Sequence, residues 1–72
     1  MEKYLRIRYG DLKFQDYWVL NYEVNKMLNI LMYECYNEKE QVITKIIELN
    51  KVTAIEVYED GSCVEIIESG DK

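Results

Sequence analysis

The first twenty residues predict a β-hairpin. Every second residue from Leu5 to Tyr9 is apolar, with an arginine at each position between them, and this period of two is typical of a half-buried strand. A two-residue Gly-Asp turn follows, and the aromatic and branched residues at positions 13–20 predict the second strand. In this hairpin, Tyr4 and Tyr17 would be cross-strand neighbours on the polar face.

A helical interpretation competes with the second strand over residues 16–20. Apolar residues recur every three or four positions from Tyr17 to Cys35, so a helix beginning at Asp16 would bury the same stripe. We favour a strand to the end of this segment because the three residues from Tyr17 onward suit a pleated sheet, and because Asn21 is a good helix N-cap.

Residues 22–36 have the period of an amphipathic helix, with asparagine and lysine residues opposite an apolar stripe. The stripe consists of Val24, Met27, Leu28, Leu31, Met32 and Cys35. Ile30, Tyr33 and Tyr36 lie outside it. The pattern predicts the first helix of the fold.

A second, shorter helix is predicted over residues 38–49. Asn37 and Glu40 form a capping-box pattern, in which the Asn37 side chain accepts from the backbone and Glu40 reaches back. The inward residues would be Val42, Ile43, Ile46, Ile47 and Leu49. A strand over residues 41–49 is the alternative, because isoleucine and valine run through the segment. The cap favours the helix.

The C-terminal part of the chain contains the strongest hairpin signal. Asp60 and Gly61 separate two apolar segments, residues 52–58 and 62–67, and Asp-Gly in this setting is typical of a tight turn. A two-residue loop would place Val57 opposite Val64, and Ile55 opposite Ile66, on the buried side, with Tyr58 opposite Cys63 on the other.

On the polar side of this hairpin, Glu56 would face Glu65. Like charges directly opposite each other destabilise a ladder, so a neighbouring strand with positive charge is expected. Arg6 and Arg8 of the first strand have the matching spacing. We therefore expect the first strand to lie beside the C-terminal hairpin.

These elements predict an α+β fold, a single antiparallel sheet with two helices on one face in the order β-β-α-α-β-β. A chain of 72 residues forms one domain, residues 1–72, and residues 69–72 are expected to fray. The helices would cover a face lined by Leu5, Ile7, Ile55, Val57, Val64 and Ile66.

Composition and cysteine usage predict a cytoplasmic protein without membrane association. Apolar residues make up 49% of the chain, but no apolar run approaches the ~20 residues of a membrane span, and no signal-peptide core follows Met1. Cys35 and Cys63 form no CxxC pair, and a small secreted domain usually carries a denser set of cysteines.

The residue types exclude most catalytic chemistry. The chain has no histidine for a catalytic triad or a zinc site, and its three glycines form no phosphate-binding loop. Two facing glutamates supply too few oxygens for a hard cation. We expect no enzyme activity, no cofactor and no metal site.

Charge and aromatic content indicate a binding surface. The net charge is −5, and residues 34–72 hold ten acids and four bases, which argues against direct nucleic-acid binding and suits a basic protein partner, such as a nucleic-acid-binding protein. Seven tyrosines, one tryptophan and one phenylalanine exceed the needs of so small a core, so we also expect a homodimer. The predicted partner-binding residues are Glu56, Glu59, Asp60, Glu65, Glu68, Tyr17, Tyr33 and Tyr36.

Three segments, together with size and acidity, resemble the small uncharacterised proteins encoded by phages and prophages of low-GC bacteria. The segments are Tyr4-Leu-Arg-Ile-Arg-Tyr-Gly-Asp11, Asp16-Tyr-Trp-Val-Leu20 and Ile55-Glu-Val-Tyr-Glu-Asp-Gly61. That population includes anti-CRISPR and other anti-defence proteins, many of them non-enzymatic. The resemblance implies an anti-defence role in a host cytoplasm and assigns a function to no individual residue.

The leading hypothesis is a non-enzymatic inhibitor or modulator that binds a protein through an acidic and aromatic surface. One alternative is a homo-oligomeric module that binds or sequesters a nucleotide-like ligand between subunits, with Arg6, Arg8 and Lys13 as the clustered basic residues. Another alternative is a housekeeping scaffold domain.

Overall fold

A computed structural model describes residues 2–68, which form seven antiparallel strands and one short 3₁₀ turn. The strands are β1 (Lys3–Arg8), β2 (Phe14–Trp18), β3 (Asn21–Asn25), β4 (Ile30–Tyr36), β5 (Val42–Glu48), β6 (Ala54–Glu59) and β7 (Ser62–Glu68), with the 3₁₀ turn at Leu49–Lys51. The predicted frayed tail, residues 69–72, lies outside the described residues.

The strands form two sheets that share one hydrophobic core. A four-stranded sheet has the order β2-β1-β6-β7, and a three-stranded sheet has the order β3-β4-β5. The buried core consists of Leu5, Ile7, Val19, Leu31, Tyr33, Leu49, Val52, Ile55, Val57 and Ile67. The predicted α+β class and single sheet are therefore wrong, because the apolar face of the first sheet is covered by a second sheet and not by helices.

The chain passes from the first sheet to the second within two residues after β2. The backbone N–H of Val19 donates to the Lys3 carbonyl at 3.0 Å, whereas that of Leu20 donates to the Glu34 carbonyl at 2.7 Å. Consecutive residues thus bond to different sheets. Asn21 begins β3 and is not a helix N-cap as predicted.

The predicted helix over residues 22–36 is the β3–β4 hairpin. Val24 lies opposite Leu31, and partners seven residues apart in a hairpin share one face, as they also would in a helix. The turn between them is built locally. The Asn25 side chain accepts from the backbone N–H of Leu28 at 3.0 Å, and Asn29 has a positive φ of 57°.

The predicted helix over residues 38–49 is also wrong, and the strand alternative is confirmed by β5. Asn37 does accept hydrogen bonds from the backbone, but these bonds close a hairpin turn. Its Oδ1 accepts from the backbone N–H groups of Lys39 and Gln41, both at 2.9 Å. Glu40 has a φ of 61°, which a helix does not allow. The capping-box pattern therefore marked a β-turn.

The predicted N-terminal hairpin is confirmed, although its loop and register differ. Arg8 pairs with Phe14, so a five-residue loop from Tyr9 to Lys13 replaces the predicted Gly-Asp turn. Within residues 16–20 the strand interpretation holds as far as Trp18, the end of β2. Tyr4 faces Trp18, and Tyr17 lies on the core side opposite Leu5.

The C-terminal hairpin is confirmed at its turn and shifted by one residue beyond it. Asp60 and Gly61 have φ values of 52° and 86°, and Tyr58 faces Cys63 as predicted. A bulge then skips Val64. The resulting pairs are Ile55 with Ile67, Glu56 with Ile66, and Val57 with Glu65.

The shift changes which residues are buried and which charges meet. Val64 and Ile66, predicted to be buried, are exposed, and Ile67 enters the core. The predicted Glu56–Glu65 pair does not form, because a single skipped residue moves every later side chain to the other face. The predicted position of β1 beside the C-terminal hairpin is nevertheless confirmed, since β1 pairs with β6 along its whole length.

Among the described residues, no helix has the length and apolar character needed to cross a membrane.

Candidate functional site: an aromatic platform on the four-stranded sheet

The outward face of the four-stranded sheet carries aromatic and arginine side chains. Alternation along β1, β2 and β6 directs Leu5 and Ile7 into the core and the residues between them outward. The register aligns three outward rows. They are Trp18–Tyr4–Tyr58–Cys63, Asp16–Arg6–Glu56–Ile66 and Phe14–Arg8–Ala54–Glu68. We call Tyr4, Arg6, Arg8, Phe14, Trp18 and Tyr58 the aromatic platform.

The rings of the platform are held by contact with one another. Tyr4 and Tyr58 stack with ring centroids 4.9 Å apart and planes 4° from parallel. Trp18 meets Tyr4 edge to face at 5.2 Å, and both geometries are favourable for aromatic pairs. Trp18 nevertheless remains 63% exposed, so a large part of its indole ring faces solvent.

Arg6 lies among these rings. Its guanidinium carbon is 4.5 Å from the centre of the Phe14 ring, 5.2 Å from that of Tyr58 and 6.0 Å from that of Tyr4. These distances allow cation–π attraction. Arg6 therefore lies within cation–π distance of three of the four rings of the platform.

Each of the two arginines of the platform is neutralised by a neighbouring carboxylate. Arg6 donates to both carboxylate oxygens of Asp16, at 2.9 and 3.1 Å, and Arg8 donates to both oxygens of Glu56, at 2.6 and 3.3 Å. Such two-pronged pairs hold both side chains in a fixed orientation. Two cations and two anions leave this group of four without net charge.

Glu56 has a second donor in the platform. The hydroxyl of Tyr58 donates to its Oε1 at 2.8 Å. The hydrogen bonds from Arg8, followed by that from Tyr58, lower the pKa of Glu56 below its ordinary value. The carboxylate is therefore ionised at neutral pH and ties the charged row to the aromatic row.

Most of the predicted acidic partner-binding residues contact groups of this same chain. Glu56 binds Arg8, Glu59 lies 3.4 Å from the Lys3 ammonium, and Asp60 accepts from the backbone N–H of Glu2 at 3.1 Å. Glu65 accepts from the hydroxyl of Tyr22. Glu68 is exposed and ends the row that begins with Phe14. These four contacts stabilise the fold and reduce the acidic surface available to a partner.

The three predicted tyrosines occupy different environments. Tyr33 is only 5% exposed and belongs to the core, and the half-buried Tyr17 packs near it with ring centroids 6.2 Å apart. Tyr36 is exposed at the end of β4. Tyr36 alone of the three presents most of its ring to solvent.

A small cleft extends the platform around the bend between β2 and β3. It has a volume of about 150 Å³ and is lined by Trp18, Val19, Leu20, Cys35 and Tyr36. The exposed rings of Trp18 and Tyr36 thus border one apolar depression. Tyr36, predicted from the sequence, therefore lies next to the platform.

Arg6 and Arg8 were predicted as basic residues of a nucleotide-binding alternative, but the aromatic residues of the platform were not predicted as a site, although the sequence contains a signal for them. Tyr4 alternates with Leu5 in β1, and Tyr58 alternates with Val57 in β6. A large ring at the outward position of two strands predicted to be neighbours indicates a shared aromatic face. Trp18 and Phe14 join that face only through the actual register of β2.

Between residues 2 and 68, no group of three or more histidine, cysteine, aspartate or glutamate side chains could hold a metal ion. Both cysteines are free thiols, with Cys63 exposed at the end of the row that begins with Trp18.

Comparison of the chain with protein-family models, curated proteins and solved structures finds no match.

Proposed function

We propose that this protein is a non-enzymatic binding module that recognises a protein partner through the aromatic platform. The observation that carries the proposal is the exposed Trp18 ring, which meets Tyr4 edge to face where Tyr4 stacks on Tyr58. Arg6 lies over the Tyr58 ring of that stack. Tryptophan, tyrosine and arginine are enriched among the few residues that dominate the binding energy at protein interfaces. Rings already ordered before binding lose little conformational entropy on association.

A protein suits this surface better than a polynucleotide. Arg6 and Arg8 are each engaged by a carboxylate, so neither is free to displace counterions from a phosphate backbone. The chain as a whole carries a net charge of −5. The complementary partner therefore has an apolar centre and a basic surround.

The narrower expectation is that the module acts as an inhibitor or modulator, encoded by a phage or mobile element, in a host cytoplasm. It is supported by the resemblance of the sequence to small acidic phage proteins. A basic nucleic-acid-binding protein of the host is the partner that this role favours.

The experiment compares Trp18→Ala with Met27→Ala as affinity baits. Met27 is 94% exposed in the β3–β4 turn, so its variant removes exposed apolar surface away from the platform. Quantitative mass spectrometry identifies proteins retained by the wild type, and titration with each purified protein follows. We expect Trp18→Ala to weaken binding at least about tenfold and Met27→Ala to match the wild type. Equal affinity of all three proteins would contradict the proposal.

The nucleotide alternative is tested by fluorescence of the same side chain. Trp18 is the only tryptophan of the chain, so its emission reports directly on occupation of the platform. After correction for the excitation light that AMP itself absorbs, addition of AMP is expected to leave the emission of Trp18 unchanged. Saturable quenching by AMP at micromolar concentration would replace the protein partner with a nucleotide-like ligand.

A further inference from the structure

The outer edge of β5 differs from the other edges of the two sheets. The edge strands are β2 and β7 in one sheet and β3 and β5 in the other. β2 and β3 have five residues each and include polar side chains, and β7 contains a bulge and two glutamates. β5 is a regular strand of seven residues with four isoleucine or valine residues.

Most side chains of β5 are exposed as well. Five of its seven residues are exposed, including Val42 at 53% and Ile46 at 60%. Within residues 2–68, no strand pairs with its outer edge. A long, regular and apolar edge is a template for pairing with another strand, and Lys45 is its only basic residue.

The hydrogen bonds of the β4–β5 hairpin identify the backbone groups that point outward. The N–H of Asn37 donates to the Gln41 carbonyl, and the N–H of Leu49 donates to the Asn29 carbonyl, both at 2.9 Å. Hydrogen-bonded and non-hydrogen-bonded pairs alternate along an antiparallel ladder. Odd-numbered residues of β5 therefore bond to β4, and the amide and carbonyl groups of Val42, Thr44 and Ile46 point to the free edge.

We propose that β5 pairs with β5 of a second copy, in antiparallel orientation about a two-fold axis at Thr44, joining two three-stranded sheets into one of six strands. In this register Thr44 faces Thr44, and Val42 faces Ile46 of the other copy. All three are residues with outward backbone groups, so each facing pair exchanges two N–H···O bonds. The proposal does not rest on the proposed function, because no residue of the aromatic platform belongs to β5.

Side-chain complementarity selects this register. On the outward face of the three-stranded sheet, Met32 lies beside Ile46 and Tyr36 lies beside Val42. In the Thr44-centred register, Ile46 of one copy lies opposite Val42 of the other. Met32 and Ile46 of one copy then form a continuous apolar row with Val42 and Tyr36 of the other copy, and the two-fold axis generates a second, identical row. It therefore accounts for the exposure of Tyr36, Val42 and Ile46.

Symmetric registers centred on Lys45 or Ile46 are less favourable. An axis at Lys45 would place the two ammonium groups opposite each other, which destabilises a ladder. An axis at Ile46 would leave Val42 beyond the strand of the second copy. A two-fold pairing also closes the assembly at two copies, because each chain uses its one apolar edge.

The test uses complementary charges at the two facing positions. The variant Val42→Lys/Ile46→Lys places lysine opposite lysine, and Val42→Glu/Ile46→Glu places glutamate opposite glutamate. Sedimentation equilibrium from micromolar to millimolar concentration is expected to give twice 8.7 kDa for the wild type. Each variant alone is expected to dimerise at least about tenfold more weakly, and an equimolar mixture is expected to regain the dimer.

Controls separate loss of pairing from loss of folding. Far-ultraviolet circular dichroism checks that each variant retains its strands, and the mixture tests pairing even if one variant is less stable alone. Met27→Lys places a charge at an exposed turn and should dimerise like the wild type. A wild-type mass of 8.7 kDa at every concentration, or a mixture as monomeric as its components, would overturn the proposal. Trp18 takes no part in the β5 pairing, so its role in partner binding is tested separately by Trp18→Ala.

Discussion

At the scale of single residues, Glu56 connects the two kinds of chemistry on the platform. Its carboxylate accepts from Arg8 and from the Tyr58 hydroxyl, so it holds an arginine and a ring in place together. The spacing of Arg6 and Arg8 predicted that an arginine of β1 would compensate this glutamate, and Arg8 does so. Arg6, expected to act in the same way, binds Asp16 of β2 instead.

Replacement of Glu56 by glutamine should make the free energy of unfolding change less with pH in the acid range than it does in the wild type. The pKa of Glu56 is lowered in the folded state, so its contribution is complete above its ordinary value of 4.5 and is lost as the pH falls through the folded pKa. We expect Glu56→Gln to reduce the free energy of unfolding by about 1 kcal/mol at neutral pH. The deficit should shrink below pH 4.5.

Urea unfolding at a series of pH values measures this difference. Glu48→Gln is the matched control, because Glu48 lies 3.7 Å from Lys51 in a pair that is mostly exposed. Its effect should be close to zero at every pH. A deficit for Glu56→Gln that is absent at neutral pH, or constant down to acid pH, would contradict the assigned role.

At the scale of elements, turns account for both the successes and the failures of sequence analysis. The Asp60–Gly61 turn was predicted because few residues adopt positive φ, and both residues do so here. The turns at Asn29 and Glu40 were not predicted. Both residues also have positive φ, but they lie within segments of helical period. Without a glycine at those positions, the local pattern alone did not reveal the turns.

Replacement of Gly61 by alanine should destabilise the C-terminal hairpin. Gly61 has a φ of 86°, so an added Cβ introduces strain although no atom lies within 4 Å of it. We expect a loss of about 1 kcal/mol in the free energy of unfolding. Gly10→Ala is the control, because Gly10 is equally uncrowded and lacks a positive φ. Chemical denaturation that finds the two variants equally stable would exclude backbone strain at Gly61.

At the scale of the whole molecule, few polar contacts join the two sheets. The core unites them, and at its edge the Tyr22 hydroxyl of β3 donates to Glu65 of β7. Burial and then this hydrogen bond raise the pKa of Tyr22 to about 12. The contact is thus sensitive to alkaline pH.

Replacement of Tyr22 by phenylalanine should make the fold more resistant to alkali relative to the wild type. The pKa of Tyr22 is raised in the folded state, so its contribution is complete below its ordinary value of 10.0 and is lost as the pH approaches about 12. Tyr22→Phe should cost about 1 kcal/mol at neutral pH. That cost should diminish, and then reverse, as the pH rises above 10.0.

Urea unfolding from neutral to alkaline pH checks this expectation. Tyr36→Phe is the control, because the Tyr36 ring is mostly exposed and its replacement should shift stability little at any pH. A difference between Tyr22→Phe and the wild type that does not change with pH would show that the hydroxyl does not link the sheets.

The sequence by itself determined the features that depend on near neighbours. Alternation identified β1, Asp60 and Gly61 identified the last turn, and charge complementarity placed β1 beside β6. These features follow from side-chain direction and backbone sterics over a few residues. The apolar identity of Leu5, Ile7, Ile55 and Val57 as core residues followed in the same way.

Only the tertiary structure decided between helix and strand over residues 22–49. Val24 and Leu31 lie seven positions apart, which suits one face of a helix and also one pair of a hairpin. A strand gains its stability from partners and burial, which no local pattern contains. The bulge at Val64 and the register of β2 have the same origin, since packing of the second sheet selects which side of each strand is buried. The aromatic platform and the free edge of β5 are consequences of that choice.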